Sequence, residues 1–177
     1  IPVTYHHLAL SGSGAPILTG VGTINGDFTL SGTVTAAAAT GMTVGGNLTI
    51  GSGTSFDAGG FSHTLKGNWS SAGTFAAGTS TITLNGTSAQ TMSGSTFHNL
   101  SIANAAGVTM LTDETVNGTL TLTSGNFSIG AHTLTLNGAV AAGGGSLAGG
   151  VTSNILVGGS GTGTTLPALT LNNLTLD

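Results

Sequence analysis

No cysteine occurs in this chain, and Lys66 is its only Lys or Arg residue. The first absence excludes disulfides, thiolate metal sites and thiol catalysis. The second removes the phosphate neutralisation that drives nucleic-acid binding, so nucleic acid is excluded as a partner. Acidic residues are almost as scarce: Asp27, Asp57, Asp113, Glu114 and Asp177 complete the charged set. No segment approaches the roughly 18 consecutive apolar residues that span a bilayer. Residues 34–44 come closest, interrupted by Thr35, Thr40, Gly41 and Thr43, so no membrane insertion is expected. Helix-forming segments are missing too, apart from a brief alanine run at 36–39.

Scarce charge does not mean disorder here, because 38% of the 177 residues are hydrophobic and they recur in alternation. Solubility must come from Thr, Ser and Asn rather than from ions, which is unusual for a cytoplasmic surface. Such a surface resists association poorly and suits a protein that polymerises or adheres. The chain opens at Ile1 with no leader sequence, the expected look of a processed exported protein and equally of a piece of a longer one.

What is abundant is repetition. Thr23-Ile24-Asn25-Gly26 returns as Thr43-Val44-Gly45-Gly46, Thr64-Leu65-Lys66-Gly67 and Thr83-Leu84-Asn85-Gly86. It returns again as Thr115-Val116-Asn117-Gly118, Thr135-Leu136-Asn137-Gly138 and Ile155-Leu156-Val157-Gly158. Successive starts lie 20, 21, 19, 32, 20 and 20 residues apart. A period near twenty marks a repeat architecture whose units stack on their neighbours. After each turn the chain alternates, as in Gly26-Asp27-Phe28-Thr29-Leu30 and Gly118-Thr119-Leu120-Thr121-Leu122, placing the apolar residues on one face. Asn-Gly and Gly-Gly pairs supply the corners. The pattern predicts an all-β single-stranded β-solenoid over residues 1–177. Asn-Gly between alternating strands also signals hairpins, so an antiparallel β-sandwich is the alternative.

A longer repeat overlies the short one. Tyr5-His6-His7-Leu8-Ala9-Leu10 resembles Phe97-His98-Asn99-Leu100-Ser101-Ile102, and Leu171-Asn172-Asn173-Leu174-Thr175-Leu176 keeps the apolar phase. Residues 5–31 align with 97–123 at an offset of 92, and 46–53 with 118–125 at 72. This divides the solenoid into related modules at about 5–96 and 97–170, with 171–177 starting a third. Neither end shows the polar cap that solenoids normally need. Uncapped, matching ends predict head-to-tail association into an open filament. Its junction would set Tyr5, Leu8 and Leu10 against Leu171, Leu174 and Leu176. Exchange of the N-terminal strand into a neighbour is the other form of junction.

The residues that carry chemistry form no catalytic pattern. His63 and His132 recur in His-Thr-Leu triplets, and His6 recurs as His98, which argues for structural roles. His6 and His7 point to opposite faces of a strand, so they do not make a metal site. Asp113 and Glu114 read as a solvated corner, and Asp27 and Asp57 fall on different turns. Glycosidase chemistry needs two carboxylates about 5–10 Å apart, which nothing here indicates. No Asp follows Gly143-Gly144-Gly145 or Gly158-Gly159-Ser160-Gly161 to bind calcium, and no P-loop is present. No enzyme activity, cofactor or metal is expected. Seven Asn-x-Ser/Thr sequons occur, and the turn positions Asn47, Asn68, Asn85 and Asn117 are the candidates for glycosylation. Thr-x-Thr rows such as Thr79, Thr81, Thr83 resemble ice-binding surfaces, but the motif shifts phase between coils.

The runs from Phe97 to Ile102, from Val116 to Gly125 and from His132 to Gly138 together resemble large bacterial cell-surface β-helix proteins of the adhesin and extracellular-fibre type. The likeness spans most of the chain and implies export and a stalk or fibre. No binding head or anchor is recognisable. The expected function is a structural subunit of an extracellular filament or surface fibre, with further copies of itself as partner. A stalk segment of a larger surface- or glycan-binding adhesin is the alternative. A polysaccharide-active β-helix or an ice-binding protein ranks lower.

Overall fold

The computed structural model describes residues 3–159, 165–167 and 169–177. The chain winds through about eight coils of short strands, and every strand pairing among the described residues is parallel. This is a β-solenoid, and parallel pairing rules out the antiparallel sandwich.

Three faces run along the rod. The first stacks β1 (Val3–Tyr5), β5 (Val21–Ile24), β8 (Thr43–Val44), β11 (Ser62–Leu65), β14 (Thr81–Leu84) and β17 (Asn99–Ala103). The second stacks β2 (Leu8–Leu10), β6 (Phe28–Leu30), β9 (Leu48–Ile50), β12 (Trp69–Ser71), β15 (Gln90–Ser93) and β18 (Val108–Met110). Both continue onto β20 (Leu120–Ser128), which straightens the corner between them, and then onto β22 (Val140–Ala148). The third face is split. Its lower ladder holds β3 (Ser13–Gly14), β4 (Ile17–Leu18), β7 (Thr33–Ala38), β10 (Ser55–Asp57) and β13 (Thr74–Ala76). Its upper ladder holds β16 (Thr96–Phe97), β19 (Glu114–Val116), β21 (Thr133–Leu136), β23 (Asn154–Val157) and β24 (Asn173–Leu176).

Alternation decides what each strand buries. On the first face Ile24, Val44, Leu65, Leu84, Ile102 and Leu122 stack in register and fill the interior. On the second, Phe28, Leu48, Trp69, Met92 and Met110 do the same. Between the inward positions, Thr4, Thr23, Thr43, Thr64, Thr83, Ser101 and Thr121 form one unbroken outward column. The threonines of this face therefore keep one phase from coil to coil, contrary to the shift expected from sequence. Coils of 19 and 21 residues absorb their difference between the paired strands, which keep their register.

The same column explains the odd spacing of 32. From Thr83 the ladder steps to Ser101, a coil of 18 residues, and then to Thr121. Thr115 belongs to another face, β19, so the turn signature has moved around the rod. Strand registers show how. β1 lies on β5 through Thr4↔Thr23 and Tyr5↔Ile24; β16 lies on β19 through Thr96↔Thr115 and Phe97↔Val116, every position shifted by 92. The next pair repeats the shift, β2 on β6 through Leu8↔Phe28 and β17 on β20 through Leu100↔Leu120. Yet β1 and β2 occupy the first and second faces, whereas β16 and β17 occupy the third and first. Equivalent segments are thus rotated by one face, a third of a turn.

Candidate functional site

The place where this rotation happens is the most elaborate part of the molecule. Below it, β13 ends the lower ladder of the third face; above it, β16 starts the upper one. Aromatic rings fill the interruption. Trp69 packs edge-on against Phe75 and Phe97, with centroids 4.7 and 5.2 Å away, and Phe75 and Phe97 lie 5.6 Å apart. The indole Nε1–H donates to Ser95 Oγ at 2.8 Å, so the one polar atom of this ring is satisfied. Gly94 makes the adjoining turn at a φ of 80°, and a Cβ there would collide with the Ser71 carbonyl oxygen. Only glycine fits.

Glu114 holds that turn from above. It is 1% exposed, and Oε1 accepts from Gly94 N–H (2.9 Å) and from the Thr112 hydroxyl (2.8 Å). Oε2 accepts from Ser95 N–H at 3.0 Å. Burial pushes this carboxyl above its ordinary range, the three donors pull it back, and neighbouring Asp113 pushes the same way as burial. The solvated corner expected for Asp113 and Glu114 is therefore correct only for Asp113, which is exposed and accepts from Thr133 N–H at 2.8 Å. The signal was in the sequence: Glu114 stands two residues before inward Val116, hence in the same phase.

A second buried polar group closes the preceding corner. Gln90 Oε1 accepts from Gly86 N–H at 2.8 Å and from Asn104 Nδ2 at 2.9 Å. Gln90 Nε2 donates to the carbonyls of Leu65 and Gly67, and Asn104 Nδ2 donates also to Ser88 O. Within the long corner at 85–89 these bonds satisfy Gly86 N–H and Ser88 O, and sequence reasoning had no local motif by which to find them.

The corner between the first and second faces is laddered by side chains. Asp27 N–H donates to His7 Nδ1, Asn47 N–H to Asp27 Oδ1, Asn68 N–H to Asn47 Oδ1 and Thr91 N–H to Asn68 Oδ1, all at 2.7–2.9 Å. At the corner from the third face to the first, Thr119 N–H donates to Asn99 Oδ1 in the same way. Each rung supplies an acceptor to a backbone N–H that the turn removes from the sheet. Of the four candidate sequon residues at turns, Asn47, Asn68 and Asn117 are exposed, and Asn117 Oδ1 accepts from Asn137 Nδ2. Asn85 is half-buried, and its Oδ1 has no hydrogen-bond partner among the described residues.

The histidines separate. His63 is buried; its Nδ1 accepts from Met42 N–H at 3.2 Å, which leaves Nε2 to donate to Ala58 O at 3.0 Å. Burial lowers its pKa, opposed by the Ala58 bond. His7 and His132 lie at the surface, 3.6 Å and 3.8 Å from the carboxylates of Asp27 and Asp113. His6 is exposed and His98 half-buried. Among the described residues no three His, Asp or Glu side chains converge as a metal site would require. Asp27 is a rung of the corner ladder and Asp57 accepts from Gly59 N–H at 2.8 Å, in different parts of the coil.

The residues expected at an end-to-end junction fall on the outer strands. Tyr5, Leu8, Leu10 and Leu171 are half-buried against the core, while Leu174 and Leu176 are 52% and 74% exposed. β24 lies on β23 through Ile155↔Leu174 and Val157↔Leu176, the arrangement in which β17 lies on β14 through Ile82↔Leu100 and Leu84↔Ile102. A Cβ on Gly149 would meet the Thr170 carbonyl at 2.5 Å and Leu171 at 2.9 Å, which sets 169–171 beside the end of β22 on the second face. The rotation by one face is repeated there. No protein-family model, curated protein or solved structure matches this chain.

Proposed function

We propose that this chain is a structural segment of an extracellular filament or surface fibre, non-catalytic, whose partner is a further copy of itself joined head to tail. The observation that carries the reading is the junction inside the chain. There the edge of one module, β14 and β15, accepts the opening strands of the next, and the same strand arrangement recurs where β23 accepts β24. A unit that mates with its own equivalent by a constant rotation can be extended without limit. The uncharged, hydroxyl-covered faces favour such association, and the likeness to bacterial cell-surface β-helix proteins favours export. Against catalysis, Glu114 is held by three donors at a turn.

Because that junction is made within one polypeptide, a second reading has support: a stalk segment in a longer adhesin. The two separate in electron microscopy of the purified chain across a concentration series. Uniform fibres that lengthen with concentration and show a layer line near about 4.8 Å are expected. Dispersed short rods at every concentration would sink self-assembly and leave the stalk.

A further inference from the structure

Resting on the fibre reading, we infer that the edge of β23 now covered by β24 is the acceptor for the N-terminal strand β2 of a second copy, and that β24 is the internal stand-in for that strand. Three segments share one pattern: Leu8-Ala9-Leu10, Leu100-Ser101-Ile102 and Leu174-Thr175-Leu176. The second sits on β14 and the third on β23, in matching register. The first, β2, has β6 above it and no strand beneath it among the described residues. Its own equivalents thus show what surface it fits. Set on β23 in that register, Leu8 pairs with Ile155, Ala9 with Leu156 and Leu10 with Val157. His7 then takes the place of Asn173, whose Nδ2 donates to Asn154 Oδ1 at 3.2 Å, as Asn99 Nδ2 donates to Thr81 Oγ1 at the internal junction.

The exchange also has a driving force. It keeps the strand hydrogen bonds of β23, since one parallel strand replaces another. In addition it brings the open end of the incoming copy, with its groove of about 560 Å³ lined by Leu10, Pro16 and Val34, against the body of the acceptor. β24 offers β23 no such additional burial: Leu174 and Leu176 remain 52% and 74% exposed. The incoming copy would be rotated by one face relative to its acceptor, as β16 and β17 are relative to β1 and β2.

The absence of native cysteine makes a trapping experiment clean. Ala9→Cys and Leu156→Cys variants of the full chain, mixed under mild oxidation, should give a disulfide-linked dimer carrying one of each. Neighbouring parallel strands bring paired Cα atoms within the span of about 4.4–6.8 Å that a disulfide bridges. Pairing of Ala9→Cys with Thr175→Cys instead would show stacking upon an intact β24; that overturns the exchange and leaves the fibre reading standing. Fibres of the unmodified chain with neither pair formed would also overturn it. Absence of fibres and of every cross-link would fail both readings together. As a second test, deletion of residues 172–177 should lower the critical concentration for assembly severalfold, and an unchanged or raised value contradicts the exchange.

Discussion

β17 and β24 are near-copies placed in different surroundings. Leu100 and Ile102 of β17 rest on Ile82 and Leu84, and Leu174 and Leu176 of β24 rest on Ile155 and Val157. The former pair is 0% exposed; the latter is 52% and 74% exposed. The strands and their supports match, so the difference comes from what lies above: β20 covers β17, and no described strand covers β24. A solenoid coil is buried from two sides, and its inward side chains gain their full stabilisation only when both neighbours are in place.

The largest expected effect separates these two strands directly. Leu100→Ala should lower unfolding stability by about 3 kcal/mol, the cost of a cavity in a packed interior. Leu174→Ala should cost less than about 1 kcal/mol, because most of its surface is already wet. Denaturant midpoints of the two variants test this, and equal losses would break the comparison. If the chain assembles, the Leu174 position should remain insensitive in fibres that exchange β24 out.

Next in size is the turn beneath the upper ladder. Glu114→Ala leaves the Ser95 N–H group without its acceptor and Gly94 N–H with the Thr112 hydroxyl alone, at 2.7 Å, and should cost about 2 kcal/mol. Asp113→Ala, one residue away and exposed, should stay within about 0.5 kcal/mol of the parent. Calorimetry on both variants sharpens the contrast between a junction group and its surface neighbour. A Glu114→Ala variant as stable as the parent would refute the role of the carboxylate as a staple.

The smallest effect is in the pH profile. His63 has its pKa lowered by burial from 6.5, so below that value the unfolded chain binds the proton more readily. Its contribution is present above pH 6.5 and is lost as pH falls towards the folded pKa. Glu114 runs the other way. Its pKa is raised from 4.5, so the folded chain holds the proton longer, and stability falls as pH rises from 4.5 through the folded value. Acidification from neutral pH therefore carries two opposing slopes, a loss of Tm through His63 and a gain through Glu114. His63→Gln should remove the first slope and Glu114→Gln the second; a profile unchanged by either substitution contradicts the assignment.

How much of this was legible beforehand differs by level. The coil length, the parallel stack and the inward set from Ile24 to Leu122 follow from period and alternation, which are local. Glu114 was legible in phase but was read by its charge, and it is buried because its two oxygens accept from the backbone N–H groups of Gly94 and Ser95. The Gln90–Asn104 network was not legible, since its partners at Leu65, Gly67 and Ser88 lie on neighbouring coils and meet only when the coils close.

By itself the sequence determined that the chain coils, where it turns and which side chains face inward. Those features depend on near neighbours: a pleat alternates every residue, and glycine or asparagine bends the backbone wherever it stands. Only the tertiary structure decided which face each strand occupies. The spacing of 32 breaks the period of twenty in the sequence, and in the structure it is a coil plus most of another. That offset carries the second set of strands a third of a turn around the rod. Face identity is a sum over every strand and corner laid down before it, closed by aromatic packing and by backbone bonds between coils. No local pattern contains that sum.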